Sequence, residues 1–206
     1  MVWHILDIIG TVAFVISGAI AAMEEKYDLF GVALLGFTTA FGGGVIRNLL
    51  LGIPVSSLWG QQLLLMTASG SALLMFFLPI RRIRYLHTLL PIFDAIGLAA
   101  FAVQGGTYAA VHAHHSVADI VVASTITGIG GGIVRDLLAN RHPVVLQRDE
   151  FYAVWAVLDG LAIAYGFGIA AWQAYLLFIV TAILRMLSIY LRWRVPRPLF
   201  SLDRQA

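Results

Sequence analysis

Two phrases carry most of the chemistry open to this chain. Residues 39–52 read TAFGGGVIRNLLLG, and residues 127–140 read TGIGGGIVRDLLAN. Each sets a glycine triplet (Gly42, Gly43, Gly44; Gly130, Gly131, Gly132) one helical turn before an arginine, Arg47 or Arg135, in an apolar stretch. Thr38, Thr39, Thr125 and Thr127 precede the glycines, and Asp7, Asp94, Asp136 and Asp159 are the acids in similar surroundings. A guanidinium is a permanent fork of donors suited to carboxylates. Charges in membrane spans face the bundle interior or water, where they mark ion and substrate paths. The chemistry on offer is therefore charge recognition and solute movement. There is no Ser-His-Asp context, no His-Glu-x-x-His, no P-loop and no cysteine, so an enzyme is not expected and thiolate metal sites are excluded.

The elements that position these residues follow from composition. The chain has 206 residues, 60% hydrophobic and only 12% charged, against about 25% charged in soluble domains. Mean hydropathy is +0.89. An all-α membrane protein is expected. Its seven spans are placed at Trp3–Met23, Leu29–Leu49, Leu58–Leu78, Leu86–Val111, Val117–Leu138, Phe151–Ala171 and Trp172–Leu191. Each approaches the ~20 apolar residues needed to cross a bilayer. No cleavable signal is expected at the N-terminus, which runs straight into an apolar segment. Lys26, Arg81, Arg82, Arg84, Arg141, Arg148, Arg192, Arg194, Arg197 and Arg204 fall on one side. That bias puts the N-terminus outside and the C-terminus in the cytoplasm of a cell (inner) membrane. Arg192, Arg194 and Arg197 suit anionic lipid headgroups, with a plain positive-inside anchor as the simpler explanation. Nucleic acid is not an expected partner, since the net charge is only +2.

The doubled phrase belongs to a longer repeat. Asp7, Gly10, Ala13, Phe14 and Gly18 recur as Asp94, Gly97, Ala100, Phe101 and Gly105, all offset by 87, and the glycine phrases recur at 88. Ser69-Gly70 matches Asp159-Gly160 at 90. The expected organisation is one membrane domain, 1–206: repeat one at about 3–78, repeat two at about 86–171, a seventh helix at about 172–191 and a tail, 192–206. An odd number of spans per copy inverts the second copy, with a pseudo-two-fold axis in the membrane plane.

The triplets have two physical explanations. Glycine costs roughly 1 kcal/mol against alanine in a helix interior, so they mark kinks whose freed carbonyls line a polar path. Alternatively, their missing side chains let helices pack closely. Asp7–Arg47 and Asp94–Arg135 are either structural pairs within each repeat or the charged ends of a path, and Asp136 competes for Arg135. The threonine hydroxyls either coordinate a cation or bond back to the preceding turn. Asp159 is a candidate proton or cation site, or a helix-to-helix hydrogen bond. Arg185 is placed to snorkel to the cytoplasmic interface. His112, His114 and His115 form a solvated loop rather than a metal or pH-sensing site.

The phrases FGGGVIRNLLLG and GIGGGIVRDLLAN, in two inverted three-helix repeats plus a seventh helix, resemble the prokaryotic trimeric intracellular cation (TRIC) channels. They equally resemble the overlapping family of bacterial proteins labelled putative glycine transporters. The resemblance spans about Asp7 to Leu191. It implies a homotrimer with one pore per protomer, between the second and fifth spans kinked at the triplets, passing monovalent cations and K⁺ above all. No cofactor is implied beyond the permeant ion, and membrane lipids are the other expected partners. The alternative is a proton-coupled carrier of glycine or another small amino acid, with an arginine holding the carboxylate and Asp159 the coupling proton.

Overall fold

The computed structural model describes residues 2–77, 86–112, 116–146 and 151–193. The basic loop at Arg81, Arg82 and Arg84, His114 and His115, Arg148, and the cluster beyond Arg192 lie outside the described residues. The elements are α1 (Val2–Glu24), α2 (Leu29–Leu50), α3 (Ser56–Trp59), α4 (Gln62–Phe76), α5 (Leu86–His112), α6 (Val117–Leu138), α7 (Ala153–Ala164) and α8 (Ala171–Tyr190). A 3₁₀ turn at Val144–Leu146 follows α6. Among the described residues there is no strand.

The two copies start and stop α2 and α6 by the same devices. Asp28 caps α2 by accepting from the Gly31 amide at 2.8 Å, and Ser116, 88 residues on, caps α6 by accepting from the Asp119 amide at 3.0 Å. Each side-chain oxygen takes an orphan N–H of the first turn. Just past the other ends, Gly52 and Asn140 adopt positive φ of 67° and 55°. That left-handed turn is the usual helix stop. The next amides, Ile53 and Arg141, bond back to the carbonyls of Asn48 and Asp136 at 2.8 Å each.

Packing shows the inversion. A Cβ on Gly43 would strike the Thr127 carbonyl, and one on Gly131 would strike the Thr39 carbonyl. These four residues are two equivalent pairs contacting crosswise. Crosswise contact requires antiparallel helices, hence an axis perpendicular to them. The central pair α1 and α5 repeats the pattern. Gly10 lies against Phe101 and Gly97 against Phe14, and the two rings meet on the axis with centroids 5.2 Å apart. Fully buried alanines, Ala19, Ala21 and Ala22 on α1 and Ala99, Ala100 and Ala102 on α5, let neighbouring backbones approach.

Three expectations change. The helices α2 and α6 run unbroken through both triplets. The expected kinks do not free carbonyls, because backbone opened at membrane depth would go unsatisfied, and close helix contact compensates the weak propensity instead. Second, the third span begins at Gln62, since Gly60 and Gln61 break the chain after the short α3. Third, the sixth span is only the 12-residue α7, about 18 Å at 1.5 Å per residue. It ends in a turn with Gly166 and Gly168 at φ 89° and 108°. There Gln173 accepts from the Gly168 and Ala170 amides at 3.0 and 3.1 Å, so α8 starts from a capped turn. Among the described residues five helices are long and apolar enough to cross a bilayer, within Val2–Glu24, Leu29–Leu50, Leu86–His112, Val117–Leu138 and Ala171–Tyr190; α4 and α7 are shorter apolar helices.

Candidate functional site

The site has two halves related by the pseudo-two-fold. In the second repeat Arg135, 1% exposed, is enclosed by acids. Its Nε donates to Asp136 Oδ1 at 2.8 Å and its Nη1 to Asp94 Oδ1 at 2.6 Å and to Ser17 Oγ. The other Asp136 oxygen accepts from the Val144 amide at 3.0 Å, which ties the 3₁₀ turn to the cluster. Asp94–Arg135 is the expected pair, and Asp136 joins it rather than replacing it. Arg185 does not snorkel. It is 2% exposed, and its guanidinium stands 4.5 Å over the Tyr152 ring.

In the first repeat the same guanidinium atoms meet amides. Arg47 Nε and Nη2 donate to Asn48 Oδ1 at 3.0 and 2.9 Å, and Nη1 donates to Gln104 Oε1 at 2.9 Å. Asn48 stands where the second repeat has Asp136, and Gln104 where the first has Ser17. Tyr108 lies beneath the guanidinium, 4.1 Å from ring centroid to Cζ. The expected Asp7–Arg47 pair is absent: Asp7 shares a cavity with Arg47, but no ion pair joins them among the described residues. Asp7 is only partly buried and borders the open mouth, so burial does not force it into a direct ion pair.

Two adjoining cavities lead inward from the face where α1 begins and α5 ends. A mouth of about 420 Å³ is bordered by His4, Asp7, Gln61, Gln104, Thr107, Tyr108, Val111 and His112. Through Asp7, Gln61 and Gln104 it meets a chamber of about 30 Å³ reaching Gly44, Arg47, Leu58, Phe101, Thr11 and Thr127. Phe101 and the α2–α6 crossing form its floor. Gly44 keeps the chamber open, since the nearest atom to an added Cβ is on Leu58 at 3.6 Å. Its equivalent Gly132 faces no such space: an added Cβ would lie 2.7 Å from the Tyr152 hydroxyl and 3.4 Å from Asp94 Oδ1.

Of the other expected site residues, Gly42, Gly43, Gly130 and Gly131 belong to the crossing. Thr38, Thr39, Thr125 and Thr127 all donate to the carbonyl four residues earlier, at 2.8, 2.6, 2.7 and 2.5 Å, so the back-bonding explanation holds and only Thr127 reaches the chamber. Asp159 stands apart from both cavities. It is 2% exposed and accepts from Thr181 Oγ1 at 2.8 Å, joining α7 to α8. His112 lies at the mouth, stacked on Tyr108 with centroids 4.2 Å apart. Sequence reasoning missed Ser17, Gln104, Gln61, Tyr108 and Thr11. The offset of 87 would have found Ser17 and Gln104, two polar residues at equivalent places in apolar helices. Nothing in the pattern marked Gln61.

Antiparallel three-helix copies, crossing at glycine triplets and each holding a buried arginine, define an inverted-repeat membrane protein of the TRIC architecture. A family model described as glycine transporter matches residues 4–79 and 91–168. The UPF0126 membrane protein YvgT of Bacillus subtilis is 47% identical over 203 residues, covering 98% of this chain and 100% of that protein. The inner membrane protein YadS of Escherichia coli K12 is 37% identical, covering 98% of both chains. A TRIC cation channel solved to explain conductance superposes with a TM-score of 0.82 at 39% identity, covering 98% of this chain and 100% of that one. The Rhodobacter sphaeroides TRIC orthologue gives 0.79 at 31%, covering 92% and 98%. The chain belongs to this family, in which the prokaryotic TRIC proteins and those described as glycine transporters overlap.

Proposed function

We propose that this protein is a monovalent cation channel, passing K⁺ above all, with a path in each protomer of a homotrimer in the cell membrane. The N-terminus lies outside and the chain forms one membrane domain. The observation that carries this reading is the cavity that narrows from the N-terminal face to the α2–α6 crossing, in a chain 39% identical to a solved cation channel. On this reading the structure is closed at the crossing, between Thr127 and the Arg135 cluster. Opening separates α2 from α6 at the crossing, where the glycines pack against backbone and few side chains intervene. Asp7 and the oxygens of Gln61 and Thr127 give a cation weak ligands that it can leave.

A second reading is a proton-coupled carrier of a small amino acid. It is favoured by the family description and by Arg47, a guanidinium on a cavity with no carboxylate bonded to it. A planar-bilayer recording of the purified protein in a K⁺ gradient separates the two. Unitary steps reversing near the K⁺ equilibrium potential are expected. Saturable glycine uptake into liposomes, with no unitary steps, would establish the carrier instead.

A further inference from the structure

We propose that the chamber beside Arg47 binds a small monoanion, a halide or the carboxylate of a small acid, and that this anion controls cation passage by neutralising the guanidinium. The second half of the molecule supplies the argument. Arg135 is balanced by two carboxylates within 2.8 Å. Arg47 is also buried, at 2% exposed, yet its hydrogen bonds go to the neutral amides of Asn48 and Gln104. A buried cation requires a counter-charge. Tyr108 offers a π face, which attracts but does not neutralise, and Asp7, which shares the cavity without an ion pair, balances the guanidinium only from a longer range.

The chamber's remaining groups favour an anion. Of the five guanidinium N–H donors, three are used by Asn48 and Gln104. Thr11 Oγ1 lines the chamber, is 1% exposed and has no hydrogen-bond partner. Gln104 spends its oxygen on Arg47, which leaves its amide N–H groups to donate. Asp7 is the acceptor among them; it lies toward the mouth, where it also borders the larger cavity. The volume, about 30 Å³, admits one small ion or one or two waters. It favours a small monoanion over the bulkier gluconate and the doubly charged sulfate. The regulatory half of the proposal rests on the channel reading; the binding half does not.

Thermal unfolding of the detergent-purified full chain tests binding, with chloride, bromide, formate or glycine added at fixed K⁺ against gluconate and sulfate. A saturable rise in Tm with chloride and formate is expected, lost in Arg47→Gln and weakened about five- to tenfold in apparent affinity in Thr11→Val. The surface variant Arg141→Gln keeps the response. Glycine acting while chloride and formate do not, with the effect removed by Asp7→Asn, would overturn the simple anion site in favour of a zwitterion site. No monoanion-dependent rise, or a rise undiminished in both variants, would overturn the proposal altogether. Replacing chloride by gluconate on the N-terminal face should then lower K⁺ current severalfold in the parent protein and leave Arg47→Gln unchanged. Current indifferent to the anion would overturn the regulatory half. Anion binding without any K⁺ current would instead remove the channel reading and leave the site standing.

Discussion

Arg47 and Arg135 occupy equivalent positions in one fold and live in opposite surroundings. Around Arg135 stand Asp136 and Asp94 of its own repeat and Ser17 of the other, and Tyr152 fills the space that Gly132 leaves. Around Arg47 stand Asn48 of its own repeat and Gln104 of the other, and the space beside Gly44 stays open to a cavity. A pair of substitutions, acid to amide at 48 and serine to glutamine at 104, separates a sealed half from an open one. Two inverted copies of one unit thus yield an asymmetric path, because the symmetry fixes backbone position while charge balance decides what fills it.

The strongest way to break this comparison is to unbalance the sealed half. Asp94→Asn should destabilise the protein by about 3–5 kcal/mol, the usual penalty for removing one partner of a buried pair. The equivalent Asp7→Asn should change stability by less than ~0.5 kcal/mol, in the range of a site without a specific contact. Unfolding titrations in mixed detergent check both, and equal losses would mean that the halves are energetically alike.

The triplets sharpen the comparison next. Gly132→Ala places a methyl against the Tyr152 hydroxyl and should cost about 1–3 kcal/mol through overpacking. Gly44→Ala meets nothing closer than 3.6 Å and should gain up to ~1 kcal/mol of helix propensity, while narrowing the chamber and lowering unitary current. A Gly44→Ala protein as unstable as Gly132→Ala would show that the chamber is filled.

Asn48→Asp rebuilds the second site inside the first. At an effective dielectric near 20, a charge ~8 Å from the ion path contributes about 2 kcal/mol before screening. The new carboxylate should therefore lower the barrier by at most that amount and remove any dependence of K⁺ current on the anion. Single-channel recording in chloride and gluconate checks it; retained anion dependence would show that residue 48 does not balance Arg47.

The smallest effect lies outside both sites. On the face opposite the mouth, Arg141 reaches Glu24 and Glu25 at 2.6 Å each, joining the loop after α1 to the loop after α6. Those hydrogen bonds and charges hold its guanidinium above its ordinary pKa, although partial burial opposes them. Arg141→Ala should cost no more than about 1 kcal/mol, as for other partly exposed pairs, and the loss should shrink in high salt. A larger, salt-independent loss would mean that this face is also sealed by charge.

Much of the architecture was legible in one dimension. Apolar length located the seven spans, five of them full-length helices among the described residues and two shorter ones, because each helix must satisfy its own backbone in lipid. The 87- and 88-residue offsets gave the inverted repeat, since recurrence at a fixed distance survives whatever the neighbours are. Asp94–Arg135 was readable because an isolated pair of opposite charges in apolar surroundings has few ways to be stable. Tertiary structure alone decided the rest. The triplets suited a kink and a crossing equally well, and only the approach of Thr127 and Thr39 carbonyls to Gly43 and Gly131 chose the crossing. Asp7 and Asp94 are the same residue at equivalent places, yet one bonds its arginine and the other borders a cavity. That difference depends on Asn48, Gln104 and Tyr152, which lie on other turns and other helices. Sequence specifies which charges must be buried; the three-dimensional packing of neighbours determines which of them find partners.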